Sequence, residues 1–434
     1  MSLRTQIDQS PMTRYQWMVV GLAILLNFLD GYDVLAISFT AKSISTDLQL
    51  NFDQIGTLMS AGFIGMALGS LLFSPFADKY GRRPLLIFST FLASLGMLMV
   101  CFSSQLNYLI LWRIVTGLGV GGILPCINVI VSEYTNKKWR GLSISAYVAG
   151  FGIGASLGGM TAILLQEIYG WRSVFLVGAI LTGLSALLLY FVLPESVDYL
   201  HTQKDASSKA KLRTITQHIR QPWHDALDEL PIQHTTERQA SLFEFFTFNH
   251  IKKYIFIWIP FFGVMASFYF ISSWTPALLE TAGLSKALSQ TVGIAIALGG
   301  TAGSLLFGWI VSRYATRFLL IIFMILFGIS TILFVLTESL SIAIILAILI
   351  GGLMNGCIAG LFTLNPSLYP VYFRSTGSGV AISLGRIGAI ISPIIAGELL
   401  LNGWSKEELY FSVGIILFLT CPTLFFLKEY TEEQ

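Results

Sequence analysis

Apolar residues run along this chain in long blocks broken by short polar turns, with neither the alternation of a strand nor the single apolar stripe of a soluble helix. Twelve blocks reach the length a bilayer requires, about 20 apolar residues. They predict helical spans over roughly 17–41, 54–76, 84–103, 107–131, 142–166 and 171–193, and again over 251–279, 289–312, 317–337, 339–363, 377–401 and 409–427. Between the two sets of six lies 195–250, rich in Lys, Asp, Gln and His and carrying Pro222 and Pro231. It is too polar to span and reads as a connecting loop with one or two surface helices. The pattern therefore divides the chain into 1–194, an N-terminal six-helix half; 195–250, a central loop; and 251–434, a C-terminal six-helix half.

Composition agrees with an all-α membrane protein. Of 434 residues 54% are hydrophobic and 12% are charged, about half the charged share of a soluble domain. A net charge of +2 without aromatic-basic interleaving gives no sign of nucleic-acid binding. The four cysteines stand singly in apolar runs and imply neither a metal site nor a disulfide framework. No nucleophile–base pair or phosphate-cradling glycine loop is visible, so the chain does not read as an enzyme and no cofactor is expected. Residues 1–14 are polar and lack a cleavable signal pattern. With both termini placed in the cytoplasm, twenty of the 26 Lys and Arg fall inside and four outside; omitting the long central loop leaves twelve to four. The positive-inside rule then predicts cytoplasmic termini.

The chain also repeats itself. Residues 65–83 laid over 299–317 agree at eight of nineteen positions, an offset of 234 that also carries Gly117 onto Gly351 and Arg140 onto Arg374. Six spans separate the copies, so both have the same orientation: two parallel six-helix pseudo-repeats related by an axis along the membrane normal.

Two acids interrupt the first span. Asp30 and Asp33 are three residues apart, which places them on one helical face. A charge at mid-membrane costs at least about 2.5–3.5 kcal/mol on insertion scales, so that face must look into a bundle or a wet cavity. Within the spans they are matched by Arg113 and Arg386. With both acids ionised the four sum to zero. An anion entering alone would leave a net charge in low dielectric, and a proton entering with it restores balance. All five histidines lie in the central segment, so the proton carrier should be a carboxylate. Arg386, mid-way along span 11 between Gly385 and Gly388, suits a carboxylate because its fork offers two parallel hydrogen bonds; a structural ion pair is its other reading. Asn128 and Asn355 are further candidate contacts. So are the aromatics Phe28, Tyr32, Phe63, Tyr147, Phe268, Tyr269, Phe270 and Trp274, with Tyr32, Phe268 and Trp274 foremost for a ring.

Two six-helix halves with the charged turn Ser74-Pro-Phe-Ala-Asp78-Lys79-Tyr80-Gly81-Arg82-Arg83 after span 2 resemble the major facilitator superfamily. In the second copy Ser312 and Ala315 stand where the turn has Asp and Gly. Within that superfamily, Asp30-Gly31-Tyr32-Asp33 in span 1, with Arg140-Gly141 and the loop from Leu368 to Gly377, resembles the aromatic acid:proton symporters. The resemblance implies spans 1 and 4 facing one cavity, with Arg113 as partner of Asp30 or Asp33, displaced when the acid takes a proton or else simply stapling the helices. It also implies a cytoplasmic gating latch of Asp78, Arg82, Arg83, Glu133, Arg140 and Arg374. The function implied is import of a benzoate-like acid with protons by alternating access, in a monomer of the bacterial inner membrane. A non-aromatic organic acid or a sugar is the alternative cargo. Ala155, where drug exporters of this superfamily carry Pro, weighs against proton-driven efflux.

Overall fold

The computed structural model describes residues 3–203, 206–219, 248–311, 313–369 and 374–427. Among them twelve helices are long and apolar enough to cross a membrane. Span 1 is Arg14–Leu48, span 2 Phe52–Tyr80, span 3 Arg82–Phe102, span 4 Leu106–Tyr134, span 5 Arg140–Tyr169 and span 6 Arg172–Val192. The second series is span 7 Phe248–Thr281, span 8 Lys286–Val311, span 9 Thr316–Leu336, span 10 Leu340–Leu364, span 11 Arg374–Leu401 and span 12 Lys406–Thr420, which tightens into a 3-10 turn over Cys421–Phe426. Several helices outrun the apolar block that predicted them, because polar turns continue the backbone ladder past the hydrocarbon. Gly81 separates spans 2 and 3 at φ 101°, a left-handed conformation suited to glycine. Span 12 starts on a capping box between Ser405 and Glu408. The central segment supplies two short helices, Val197–Gln203 and Ala206–His218, and a further one, Leu3–Gln9, precedes span 1.

The described residues form two compact units that do not follow the two sequence halves. One takes 1–33, 64–154 and 172–234; the other takes 34–63, 155–171 and 235–434. In the first unit, Ile7, Leu212 and Ile215 from the short helices, with Ile219 just past the last of them, join an apolar cluster with Val19, Leu22, Ile127 and Leu193 at the ends of the spans.

The second unit includes 34–63 and 155–171 because polar and backbone contacts tie them to spans 7, 8 and 11. The Ser38 hydroxyl donates to the carbonyls of Ser272 and Ser273 at 2.8 and 2.6 Å. Buried Gln166 and Gln290 both donate to the Phe39 carbonyl, at 3.2 and 3.1 Å. Along span 2, a Cβ on Gly56 would strike the Pro393 carbonyl, and the Ser60 hydroxyl donates to Ile390 O at 2.8 Å.

The repeat read from the sequence reappears as geometry. In the first unit a Cβ on Gly65 would meet Ile114 O, and one on Gly154 would meet Phe28 O. In the second unit, 234 residues later, a Cβ on Gly299 would meet Ile348 O, and one on Gly388 would meet Phe262 O. Small residues let helix backbones touch where lipid offers no hydrophobic drive.

Candidate functional site

The tetrapeptide Asp30-Gly31-Tyr32-Asp33 sits in the middle of span 1, and successive residues meet different neighbours because a helix turns about 100° per residue. Gly31 lies against span 5, where a Cβ would collide with the Phe151 carbonyl. Tyr32 points to span 6 and donates its hydroxyl to Val174 O at 2.7 Å. Asp30 and Asp33 line one small cavity with Thr90 and Met97 of span 3, Thr116 and Val120 of span 4, and Thr182 of span 6. The space has room for about one water.

Arg113 reaches Asp33 with a 2.5 Å hydrogen-bonded ion pair, and both side chains are within 4% of full burial. Its guanidinium also lies over the Phe175 ring at 6.0 Å. The Asp33 Oδ2 and Arg113 Nε atoms are buried with no hydrogen-bond partner among the described residues. The pair is thus held by a single direct bond. One turn along the helix, Asn27 donates to Tyr147 O at 2.8 Å and fixes span 1 against span 5.

Arg386, in the second unit, is half-buried and makes no hydrogen bond or ion pair with any described residue. It lies on span 11 between Gly385, packed on Met265, and Gly388, packed on Phe262 and Ala266. Asn355 bonds the Gly351 carbonyl of its own helix at 3.2 Å and packs on Gly300. Asn128 is exposed and bonds Leu124 O at 3.2 Å.

Three ring candidates are packed against neighbouring helices in this structure. Tyr32 is 1% exposed and used by span 6, Phe268 is 5% exposed, and Trp274 is 1% exposed with its indole N–H on Pro393 O at 3.2 Å. In this conformation they are packing residues. Apolar burial claimed them, and polarity alone could not distinguish a ring facing a ligand from one facing a helix.

The expected latch is assembled in part among the described residues. Arg82 pairs with Glu133 and bonds Ser196; Glu133 also accepts from the Ser196 hydroxyl at 2.7 Å and the Val197 N–H at 3.0 Å. Arg140 does not join Glu133; it pairs with Asp8 in the short N-terminal helix. Arg83 donates to Tyr190 O at 2.6 Å. The side chains of Asp78 and Arg374 lie outside the described residues. Sequence reading missed Asp8, Ser196 and Glu195, whose carboxylate accepts the Arg82 and Arg83 backbone N–H groups at 2.9 and 3.0 Å and so caps span 3 from a distant segment. Their only signal was being polar next to a span end.

Comparison with known proteins agrees with this architecture. The family model described as Major Facilitator Superfamily matches residues 23–303 and 283–434. The chain is 30% identical over 408 residues to a 4-hydroxybenzoate transporter PcaK of Pseudomonas aeruginosa, covering 93% of this chain and 90% of that one. It is 29% identical over 415 residues to a gallate transporter of Pseudomonas putida, covering 95% and 92%. Among solved structures, the inward open xylose transporter XylE of E. coli superposes with a TM-score of 0.78 at 18% identity, covering 96% of this chain and 98% of that one; at that identity the likeness is one of fold. This chain belongs to the major facilitator superfamily and is a multi-pass membrane transporter, not an enzyme.

Proposed function

We propose that this protein is a symporter that imports an aromatic carboxylate together with a proton across a bacterial inner membrane. It works by alternating access, as a monomer with no cofactor, with both termini in the cytoplasm. The observation that carries the reading is the buried Asp33–Arg113 pair with Asp30 in the same water-sized cavity. Those three side chains sum to −1 when the acids are ionised, and one proton neutralises them. Arg386 carries +1 without an internal counter-ion among the described residues, and one carboxylate neutralises it. Proton alone or substrate alone leaves the transporter with a net charge in low dielectric, whereas both together, or neither, leave none. Such charges cost several kcal/mol each by typical burial penalties, which disfavours the half-loaded states and links the two fluxes. In this reading the acids take the proton and Arg386 takes the carboxylate. A carboxylate cargo with an aromatic ring is supported by the 4-hydroxybenzoate and gallate transporters at about 30% identity over more than nine-tenths of the chain. The cytoplasmic termini rest on the distribution of Lys and Arg.

Uptake of labelled 4-hydroxybenzoate into proteoliposomes, with and without an inward proton gradient, tests the reading. Gradient-driven accumulation is expected in the wild type, with a fall of more than tenfold in Asp33→Asn and in Asp30→Asn. Accumulation indifferent to the gradient, or intact in both variants, would sink it.

A further inference from the structure

Three ring candidates are buried in packing, which leaves open what meets the ring of the substrate. The seal between spans 2 and 11 shows where to look. Its contacts step down both helices in antiparallel order: Phe52 O against Gly397, Gly56 against Pro393 O, and Ser60 to Ile390 O at 2.8 Å. Each step is about four residues on each helix, one turn, so the contacts follow one face of each span. Eleven residues, about three turns, from Phe52 and from Gly397, the same two faces carry Phe63 and Arg386. Arg386 forms no bond with a described residue, and Phe63 instead carries the ring of Tyr269 from span 7, centroids 4.4 Å apart and planes at 63°. Span 7 is held beside span 11 at this level, since Ser392 donates to Ala266 O at 2.8 Å and Gly388 packs on Ala266. The Phe268 ring also meets that of Tyr269 edge-on, centroids 4.9 Å apart. Phe63 and Phe268 are each 5% exposed, whereas Tyr269 and Arg386 are both half-buried.

We propose that Tyr269, held in place by Phe63, forms with Arg386 the substrate site of this transporter, Arg386 taking the carboxylate and Tyr269 the aromatic ring. The assignment rests on the reading of the protein as an aromatic-acid symporter and adds to it the residues that set specificity. The chemistry fits an aryl monocarboxylate. A guanidinium fork binds the carboxylate in two parallel bonds. A tyrosine already locked edge-on against a phenylalanine is preorganised to meet a third ring in an offset or edge-to-face arrangement. A saturated ring of the same size offers no such quadrupole. Tyr269 is therefore a residue that distinguishes aromatic from alicyclic acids, while Arg386 serves both.

Binding of 4-hydroxybenzoate and of cyclohexanecarboxylate to the purified full-length protein, followed by titration calorimetry, tests the assignment, beside gradient-driven uptake of the aromatic acid. In Tyr269→Leu the Kd for 4-hydroxybenzoate is expected to rise at least tenfold and that for cyclohexanecarboxylate by less than twofold. Tyr269→Phe, which keeps the ring, is expected to restore aromatic binding to within threefold of the wild type. Arg386→Gln is expected to weaken both acids together. Equal effects of Tyr269→Leu on the two acids, or none on either, would remove Tyr269 from the site, and so would failure of Tyr269→Phe to restore binding. If the wild type drives 4-hydroxybenzoate uptake with a proton gradient in any of those cases, the symporter reading stands and only this site falls. If the wild type neither binds nor takes up an aromatic acid, both fall.

Discussion

Asp33 and Arg113 bury opposite charges that each lean on the other through one hydrogen bond. Removing one partner strands the other, and such losses run to about 3–5 kcal/mol, whereas removing both replaces the pair by neutral packing. Arg113→Met alone should therefore lower the thermal midpoint in detergent markedly, and Asp33→Leu with Arg113→Met should recover most of the loss. A double variant as unstable as the single one would mean that the arginine packs rather than pairs. Tyr32 illustrates a different residue-scale lesson. Its hydroxyl bond to Val174 O contributes about 1 kcal/mol by the usual yield of such bonds. Tyr32→Phe is expected to lower the melting temperature slightly and leave the KM for 4-hydroxybenzoate unchanged; a several-fold rise in KM would return Tyr32 to the substrate. The two acids were legible because charge is rare inside an apolar helix. The partner of each aromatic was not, because helix, lipid and ligand all reward the same apolar surface.

Helices touch in this protein through glycines repeated at an offset of 234. Gly65 against Ile114 and Gly299 against Ile348 are the same contact made once in each unit. A side chain at either site meets backbone, which cannot swing aside, and overpacking of this kind typically costs about 1–3 kcal/mol. Gly65→Leu and Gly299→Leu are each expected to reduce the yield of folded, monodisperse protein severely on size-exclusion chromatography, while Gly308→Leu, in open space, leaves it unchanged. Similar yields for all three would separate the shared sequence from the shared packing. The repeat is exact where backbones meet and lapses where chemistry begins. The offset carries Asp33 onto Ser267, Arg113 onto Ala347 and Gly152 onto Arg386. The ion pair thus belongs to the first copy alone, and the candidate carboxylate anchor to the second alone.

At the scale of the whole molecule the proposed coupling through the charge sum sets the sign of the pH dependence. With the proton entering beside the substrate, initial uptake should rise as external pH falls at constant internal pH. With one proton per carboxylate, each unit of pH difference corresponds to about 1.4 kcal/mol and supports up to about tenfold accumulation. Steady-state accumulation of labelled 4-hydroxybenzoate against imposed pH differences checks both sign and slope. Uptake that rises with external pH would reverse the proposed coupling.

Apolar block length, the offset of 234 and the two acids in span 1 determined the helix number, the parallel repeat and the need for a buried polar centre, because bilayer thickness, backbone satisfaction and the cost of charge act on the chain locally. Tertiary structure decided the rest. It chose Asp33 as the partner of Arg113, sent Arg140 to Asp8, and joined Gln166 and Gln290 on one carbonyl of span 1. It also turned Tyr32 and Trp274 inward while leaving Tyr269 and Arg386 half-exposed. These choices depend on which residues, eighty or more positions apart, arrive at the same height and face of neighbouring helices. A one-residue rotation changes that by 100° without altering hydropathy.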